Sequence, residues 1–210
     1  LLGELASIPG LPYPERLLMG QSAAHDRLEY LRRPDLGRRL SDASRAELSA
    51  LKALCPQAFD LSIVIADGLS SRAIATNAAP FLREFLPLVS AWRLSPLIIL
   101  TQGRVAVADE VGSLLGARAV AILIGERPGL SSPDSMGIYL TWAPQPGITK
   151  DDRRNCISNV RPAGMGYPQA ASKLAYLLEK ASSLGLSGVG LKDDQGSTLE
   201  TSPLALPDKV

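Results

Sequence analysis

The 210-residue sequence is poor in the residues that most often carry chemistry: one histidine, two cysteines, and no apolar run near the ~18–20 residues of a membrane span. Each scarcity removes a class of function. With His25 alone and no Cys/His cluster, a zinc or iron centre has no ligand set. Cys55 and Cys156 are far apart and form no C-x-x-C, so a reduced, cytosolic protein is the default reading. The start, LLGELASIPGLPYPERLLMG, has no basic leader before an apolar block and does not read as a signal peptide. A formal net charge of +1 gives no general reason to bind nucleic acid or an anionic membrane, and Arg32-Arg33 and Arg38-Arg39 read as solvated surface. Missing too are a G-x-G-x-x-G after a strand, a G-x-x-x-x-G-K-[ST] and a G-x-S-x-G. Those gaps argue against NAD, ATP and a serine-hydrolase elbow.

What is there reads as an α/β domain. The hydrophobic share of 46% and charged share of 20% are ordinary for a globular chain long enough to bury a core. Pro9, Pro12 and Pro14 make residues 1–21 an extended arm rather than a core element. A short helix over 22–33 with Ser22 as its N-cap is broken at Pro34, and Ser41 opens a helix over 42–55. The β-branched run Leu61–Ala66 stops at Asp67-Gly68 as a buried strand does. A helix over 70–91, kinked or broken at Pro80 and Pro87, leads to a second strand, 97–100. A helix over 106–116 ending at Gly116 precedes a third strand, 119–124, and residues 137–142 form a fourth. Residues 143–167 are expected to be a long functional loop, Pro168 opens the last helix, and residues 192–210 form a loose tail. Alternating strands and helices predict parallel pairing. The expected fold is therefore a Rossmann-like parallel sheet flanked by helices, with a small N-terminal helical arm.

In such a sheet ligands gather at the carboxyl ends of the strands, where Asp67–Ser70 and Gly125–Gly129 lie. Ordinary βα turns would look the same. Glu126 at a strand end suits ribose hydroxyls or amide NH2 groups and would repel a phosphate; a surface pairing with Arg127 or Arg153 is the competing reading. Cys156 reads as a small filler rather than a nucleophile, because no histidine is placed to activate it. His25 lies beside Asp26, outside the sheet, as a surface or interface residue.

The segments YLRRPDLGRRL, IVIADGLSSRAIATNA, GRVAVADEVGSLLGARAVAILIGERPGLSSPDSMGIYLTW and DRRNCISNVRPAGMGYPQAA occur in this order between Tyr30 and Leu191. Together they resemble the small (light) subunit family of ethanolamine ammonia-lyase; the segment before about Leu28 does not follow that pattern. The resemblance implies an adenosylcobalamin-dependent lyase that converts ethanolamine to acetaldehyde and ammonia. It further implies a hetero-oligomer in which a TIM-barrel large subunit binds substrate and carries the radical chemistry. The small subunit, with no catalytic residue and no metal ligand of its own, would clamp the cofactor at their interface. By motif, the implied cobalamin-binding positions are Val105 in GRV, Glu126 in GERPGL and Cys156 in CISN, with Arg127, Asn159 and the Asp67–Ser70 loop as neighbours. The domain division expected is an arm with short helices over 1–56, a cobalamin-binding domain over 57–191 and the tail. Cytoplasm, or a bacterial microcompartment within it, is the implied location. The only histidine does not stand in an Asp-x-His-x-x-Gly motif, so the cofactor is expected to stay base-on, keeping its own dimethylbenzimidazole. A standalone small-molecule-binding domain without a catalytic partner is the alternative.

Overall fold

In the computed structural model, which describes residues 1–126 and 134–191, a short helix α1 (Leu2–Ala6) leads to strand β1 (Leu18–Gln21). Helices α2 (Arg27–Arg32) and α3 (Asp42–Leu54) follow, separated by a 3-10 turn over Leu36–Arg38. The chain then alternates: β2 (Phe59–Ala66), α4 (Ser71–Phe85), β3 (Ile98–Thr101), α5 (Val107–Leu115), β4 (Ala117–Gly125). It ends with β5 (Met136–Trp142), β6 (Arg154–Val160) and α6 (Tyr167–Leu184). The six strands form one sheet in the order β1-β3-β2-β4-β5-β6. The first four are parallel; β5 runs antiparallel to β4, and β6 antiparallel to β5.

β2 and β4 are apolar along nearly their whole length because both faces of the sheet are covered there. The strand period of two sorts their side chains. Leu61, Ile63, Ile65, Ala119, Ala121 and Leu123 enter a core with α4 and α6, whereas Val64, Ala66, Val120, Ile122 and Ile124 enter a second core with α3 and α5. Toward β5 and β6 this symmetry breaks. On the α4/α6 side Ile138, Leu140 and Ile157 continue the apolar core. On the other side, in register with Ile122, sit Tyr139 and then Cys156, with Thr141 paired to Arg154 one step along. That half of the sheet is faced with polar side chains, and the candidate site lies on it.

Several expectations need correction. Residues 1–21 are not merely an extended arm: β1 pairs with β3, and Leu5, Ile8 and Leu11 are buried in the α4/α6 core. Prolines in the segment hid this because they fall between the elements, not in them. Ser22 does not cap a helix; Asp26 does, its carboxylate accepting from the Glu29 amide at 2.8 Å, while Ser22 is buried beside β1 and accepts from the Ala24 amide. α4 runs unbroken through Pro80, and Pro87 falls in the 3-10 turn that follows. Its buried face of Ile74, Ala78, Phe81, Leu82 and Phe85, at ~1.5–3 kcal/mol for each large apolar residue, outweighs the ~3 kcal/mol that an interior proline costs. The loop expected over 143–167 contains β6. Only Ile157 and Val160 of that strand join the apolar core and its flanks carry Gly and Pro, so pairing with β5 reveals it where local propensity does not. The sheet is thus mixed at one edge, where β5 runs antiparallel to β4 and β6 antiparallel to β5. The predicted tail, 192–210, lies outside the described residues.

Candidate functional site

At the carboxyl edge of the sheet, the turns after β2 and β4 touch backbone to backbone. The Leu69 amide donates to the Gly125 carbonyl at 2.9 Å. A Cβ on Gly68 would collide with the Gly125 carbonyl, and one on Gly125 with the Ser70 carbonyl; Gly68 also has φ +54°. Only glycines permit this approach. From outside, Arg27 of α2 holds the same turn, its Nη1 donating to the Gly68 carbonyl at 2.6 Å and its Nη2 to that of Leu69 at 3.2 Å.

Opposite them is the turn after β3. Gln102 adopts φ +58°, and the Arg104 amide donates to the Gly37 carbonyl at 2.7 Å. The Arg104 guanidinium lies 4.6 Å from the centroid of the buried Tyr30 ring and donates to the Tyr30 carbonyl at 3.1 Å. β2 sends its helix to one face of the sheet and β3 to the other, so these turns flank a topological switch point. Three polar atoms there, Asp67 Oδ1, Gln102 Oε1 and Arg104 Nε, are buried without a hydrogen-bond partner. Burial pushes the Asp67 carboxyl above the usual carboxylate range, opposed by the Gln102 amide and by Arg27.

Two adjoining cavities open between these walls. One, of about 430 Å³, is lined by Gly68, Leu69, Gly125, Glu126, Val105 and Tyr139. The other, of about 270 Å³, is lined by Val105, Tyr139, Cys156, Arg38 and Arg154; Arg104, Val105 and Tyr139 line both. All three positions singled out in the sequence therefore meet around Tyr139. Val105 is half-buried at the entry to α5, Glu126 follows β4, and Cys156 lies on β6 beside Tyr139.

Glu126 is held from one side. Its Oε2 accepts from the Ser135 hydroxyl and from the Asn159 amide, the latter at 3.3 Å. Asn159, one of the expected neighbours, has φ +58°. Oε1 lies over Gly137, where a Cβ would sit 2.7 Å from it, so the glycine in β5 makes the room that the carboxylate occupies. Among the described residues Oε1 has no hydrogen-bond partner, and Glu126 forms no ion pair with Arg153. Arg127 lies outside the described residues, as do residues 128–133.

Cys156 is exposed in the groove. Partial desolvation raises its thiol above the usual range; Glu126 adds to this, while the Tyr139 hydroxyl and Lys173 act the other way. Tyr139 is itself pushed far up, by burial first and then by its hydrogen bond with Cys156. A thiol kept protonated, with no imidazole beside it, is not an activated nucleophile. His25 sits at the surface before α2, its amide donating to Glu29.

Beneath the floor, Arg154 of β6 and Asp109 of α5 form a bidentate pair at 2.6 and 2.7 Å, with side chains 3% and 2% exposed. Arg154 also donates to Thr141 Oγ1 at 3.0 Å and to the Thr149 carbonyl at 3.2 Å. This pair ties the first turn of α5, which Val105 leads into, to the strand that carries Cys156. The motif reading passed over Tyr139, Arg104, Ser135 and Gly137. Alternation in GIYLTW could have placed Tyr139 opposite Ile138 and Leu140, on the polar side; nothing local pointed to Ser135.

Among the described residues no helix is long and apolar enough to cross a membrane, and no cluster of three His, Cys, Asp or Glu side chains is placed to hold a metal ion. Compared with known proteins, residues 11–192 match the family model for Ethanolamine ammonia-lyase light chain (EutC). The ethanolamine ammonia-lyase small subunit of Pseudomonas syringae pv. tomato is 54% identical over 187 residues, covering 88% of this chain and 65% of that protein. That of Pseudomonas fluorescens (strain SBW25) is also 54% identical over 187 residues, covering 88% and 67%. That of Pseudomonas aeruginosa (strain LESB58) is 55% identical over 179 residues, covering 84% and 65%. The chain thus spans about two thirds of the length of these relatives. On this match over most of its residues, the chain belongs to the ethanolamine ammonia-lyase light chain family.

Proposed function

We propose that this chain is the cofactor-holding part of an adenosylcobalamin-dependent ethanolamine ammonia-lyase, acting on ethanolamine only in complex with a TIM-barrel large subunit. The observation that carries the reading is the meeting of Val105, Glu126 and Cys156 around Tyr139 in two connected cavities at the switch point. The donor set fits a cobalamin. A cobalamin's rim is rich in amides, and Glu126, which lines one cavity, keeps Oε1 as an acceptor without a partner among the described residues. Val105 and the Tyr139 ring supply apolar contact between them.

Bound adenosylcobalamin supplies the radical chemistry, which takes place on the large subunit's side. The residues of this chain bind and orient. Glu126 accepts from an amide or ribose hydroxyl, with Ser135 and Asn159 fixing the direction of its free oxygen. The Cys156 thiol stays neutral and contributes packing and backbone polar groups beside Tyr139, without a covalent role. A groove open on one side suits a ligand that a second subunit covers.

A visible-absorbance titration with adenosylcobalamin, with and without the large subunit, tests this. The complex is expected to bind tightly and the isolated chain weakly. A complex that binds no cobalamin would overturn the proposal.

A further inference from the structure

The 3-10 turn before α3 carries a cation that the reading above leaves unused. The Gly37 carbonyl accepts from the Arg104 amide at 2.7 Å, and a Cβ on Gly37 would lie 3.0 Å from Arg104 Cγ and 3.1 Å from the Tyr30 ring. The turn is therefore fastened directly onto the β3–α5 connection. This places Arg38, the next residue, in the wall of the 270 Å³ cavity together with Arg104.

Charge in that cavity is lopsided. Its lining includes Arg38, Arg104 and Arg154 against a single carboxylate, Asp151. Arg154 is already committed to Asp109, and Asp151, 98% exposed, approaches Arg154 at 3.4 Å. Arg104 uses Nη2 on the Tyr30 carbonyl. The Arg38 guanidinium has no hydrogen bond or ion pair among the described residues. Two guanidiniums with donors to spare in one small cavity match an oxyanion, and their planar forks suit phosphate oxygens.

The paired cavities are thus polarised along their length. Glu126 lines one and not the other; Arg38 lines the second and not the first; Val105 and Tyr139 lie between. A cobalamin has the matching asymmetry, with neutral amides around the ring and one phosphodiester anion in its nucleotide loop. Resting on the cobalamin reading above, we propose that Arg38, beside Arg104, binds that phosphodiester and so sets which way round the cofactor lies: ring amides toward Glu126, nucleotide loop toward the Leu36–Arg38 turn.

The test uses the complex of this chain with its large subunit, titrated by absorbance with hydroxocobalamin and with cobinamide, which lacks the nucleotide loop and its phosphate. Arg38→Gln is expected to weaken hydroxocobalamin binding by roughly ten- to a hundredfold while leaving cobinamide binding within about twofold. Arg38→Lys, which keeps the charge but not the fork, is expected to fall between. Because Arg38 is exposed and unpaired, neither variant should change the melting temperature of the chain. Equal weakening for both ligands would mean that Arg38 meets the partner subunit or the corrin ring, and would overturn the assignment. So would no weakening at all. If inorganic phosphate binds with the same dependence on Arg38 and does not compete with hydroxocobalamin, the cavity is a free-anion site and the assignment falls. A wild-type complex that binds neither corrinoid removes the cobalamin reading itself, which is a different result from any of these.

Discussion

Replacing Arg154 by Met keeps most of its length and removes its charge. The wild-type pair has both side chains almost fully buried, 3% and 2% exposed, with two short hydrogen bonds to Asp109. Burial alone raises the Asp109 carboxyl, against the hydrogen bonds of Arg154. For Arg154, burial acts to lower the pKa, and the hydrogen bonds to Asp109 carry it above the usual value. The two shifts pull opposite ways on the worth of the pair; the bidentate geometry is that of two charged groups. Without Arg154, Asp109 is a buried carboxylate with no counter-charge, and losing one partner of such a pair costs about 3–5 kcal/mol. With a denaturant slope of about 2 kcal/mol/M in urea, the midpoint should drop by about 1.5–2.5 M. The double variant Asp109→Leu/Arg154→Met removes both charges and should recover most of that loss. In the single variant the folded pKa of Asp109 lies further above its unfolded value. Its protonated form is then favoured in the fold, so stability is regained as pH falls below the unfolded carboxylate value and lost as pH rises through the folded one. Urea denaturation at neutral and acidic pH reads all three quantities. A single variant within about 1 kcal/mol of wild type, or a double variant that loses the sum of both singles, would refute the account.

Other expectations are simpler. Glu126→Ala should weaken cobalamin binding by the complex about tenfold, with little change in urea midpoint; unchanged affinity would remove Glu126 from the site. Gly137→Ala, which places a methyl 2.7 Å from Glu126 Oε1, should weaken binding similarly by displacing the carboxylate, read by the same titration. Iodoacetamide labelling of Cys156 in a Cys55→Ser background should be slow at neutral pH and rise only above the ordinary thiol range of about 8.5, since the folded thiol is raised; fast labelling at pH 7 would contradict this. By linkage, that raised thiol contributes stability that is intact below the unfolded value and lost as pH climbs through the folded one, so alkaline melting should be less steep in Cys156→Ser. Asp26→Ala should cost about 1 kcal/mol through the lost cap on α2, seen as a lower melting temperature.

The central strands were legible because burial on both faces leaves an unbroken apolar run, as in LSIVIA and AVAILI. The helix caps at Ser41 and Gly116 were legible because capping chemistry is local. β6 was not: its residues alternate Arg154, Cys156 and Ser158 with Asn155, Ile157 and Asn159, and only the register with β5 makes them a strand. β1 was missed for a related reason, since four residues flanked by proline-rich chain carry too little periodicity. Val105, Glu126 and Cys156 came from motif resemblance, and their spacing of about 20 and 30 residues says nothing of proximity. The sheet brings them together. Arg38 read as solvated surface because a dipeptide of arginines carries no sign of what lies across from it. Its neighbour Gly37, pressed against Arg104, decides its place, and that contact spans 67 positions of sequence.

The braced rim of the groove has a consequence for how a ligand enters. One lip joins the turns after β2 and β4 through Leu69 and Gly125 and is strapped by Arg27; the facing lip is stapled to Gly37 through Arg104. A mouth held this way is set during folding, so little ordering remains to be done when a guest arrives. The amides of Leu69 and Arg104 should accordingly be slow to exchange with solvent in the empty chain already. Under the proposed function, a second subunit then docks as a lid laid over a finished seat.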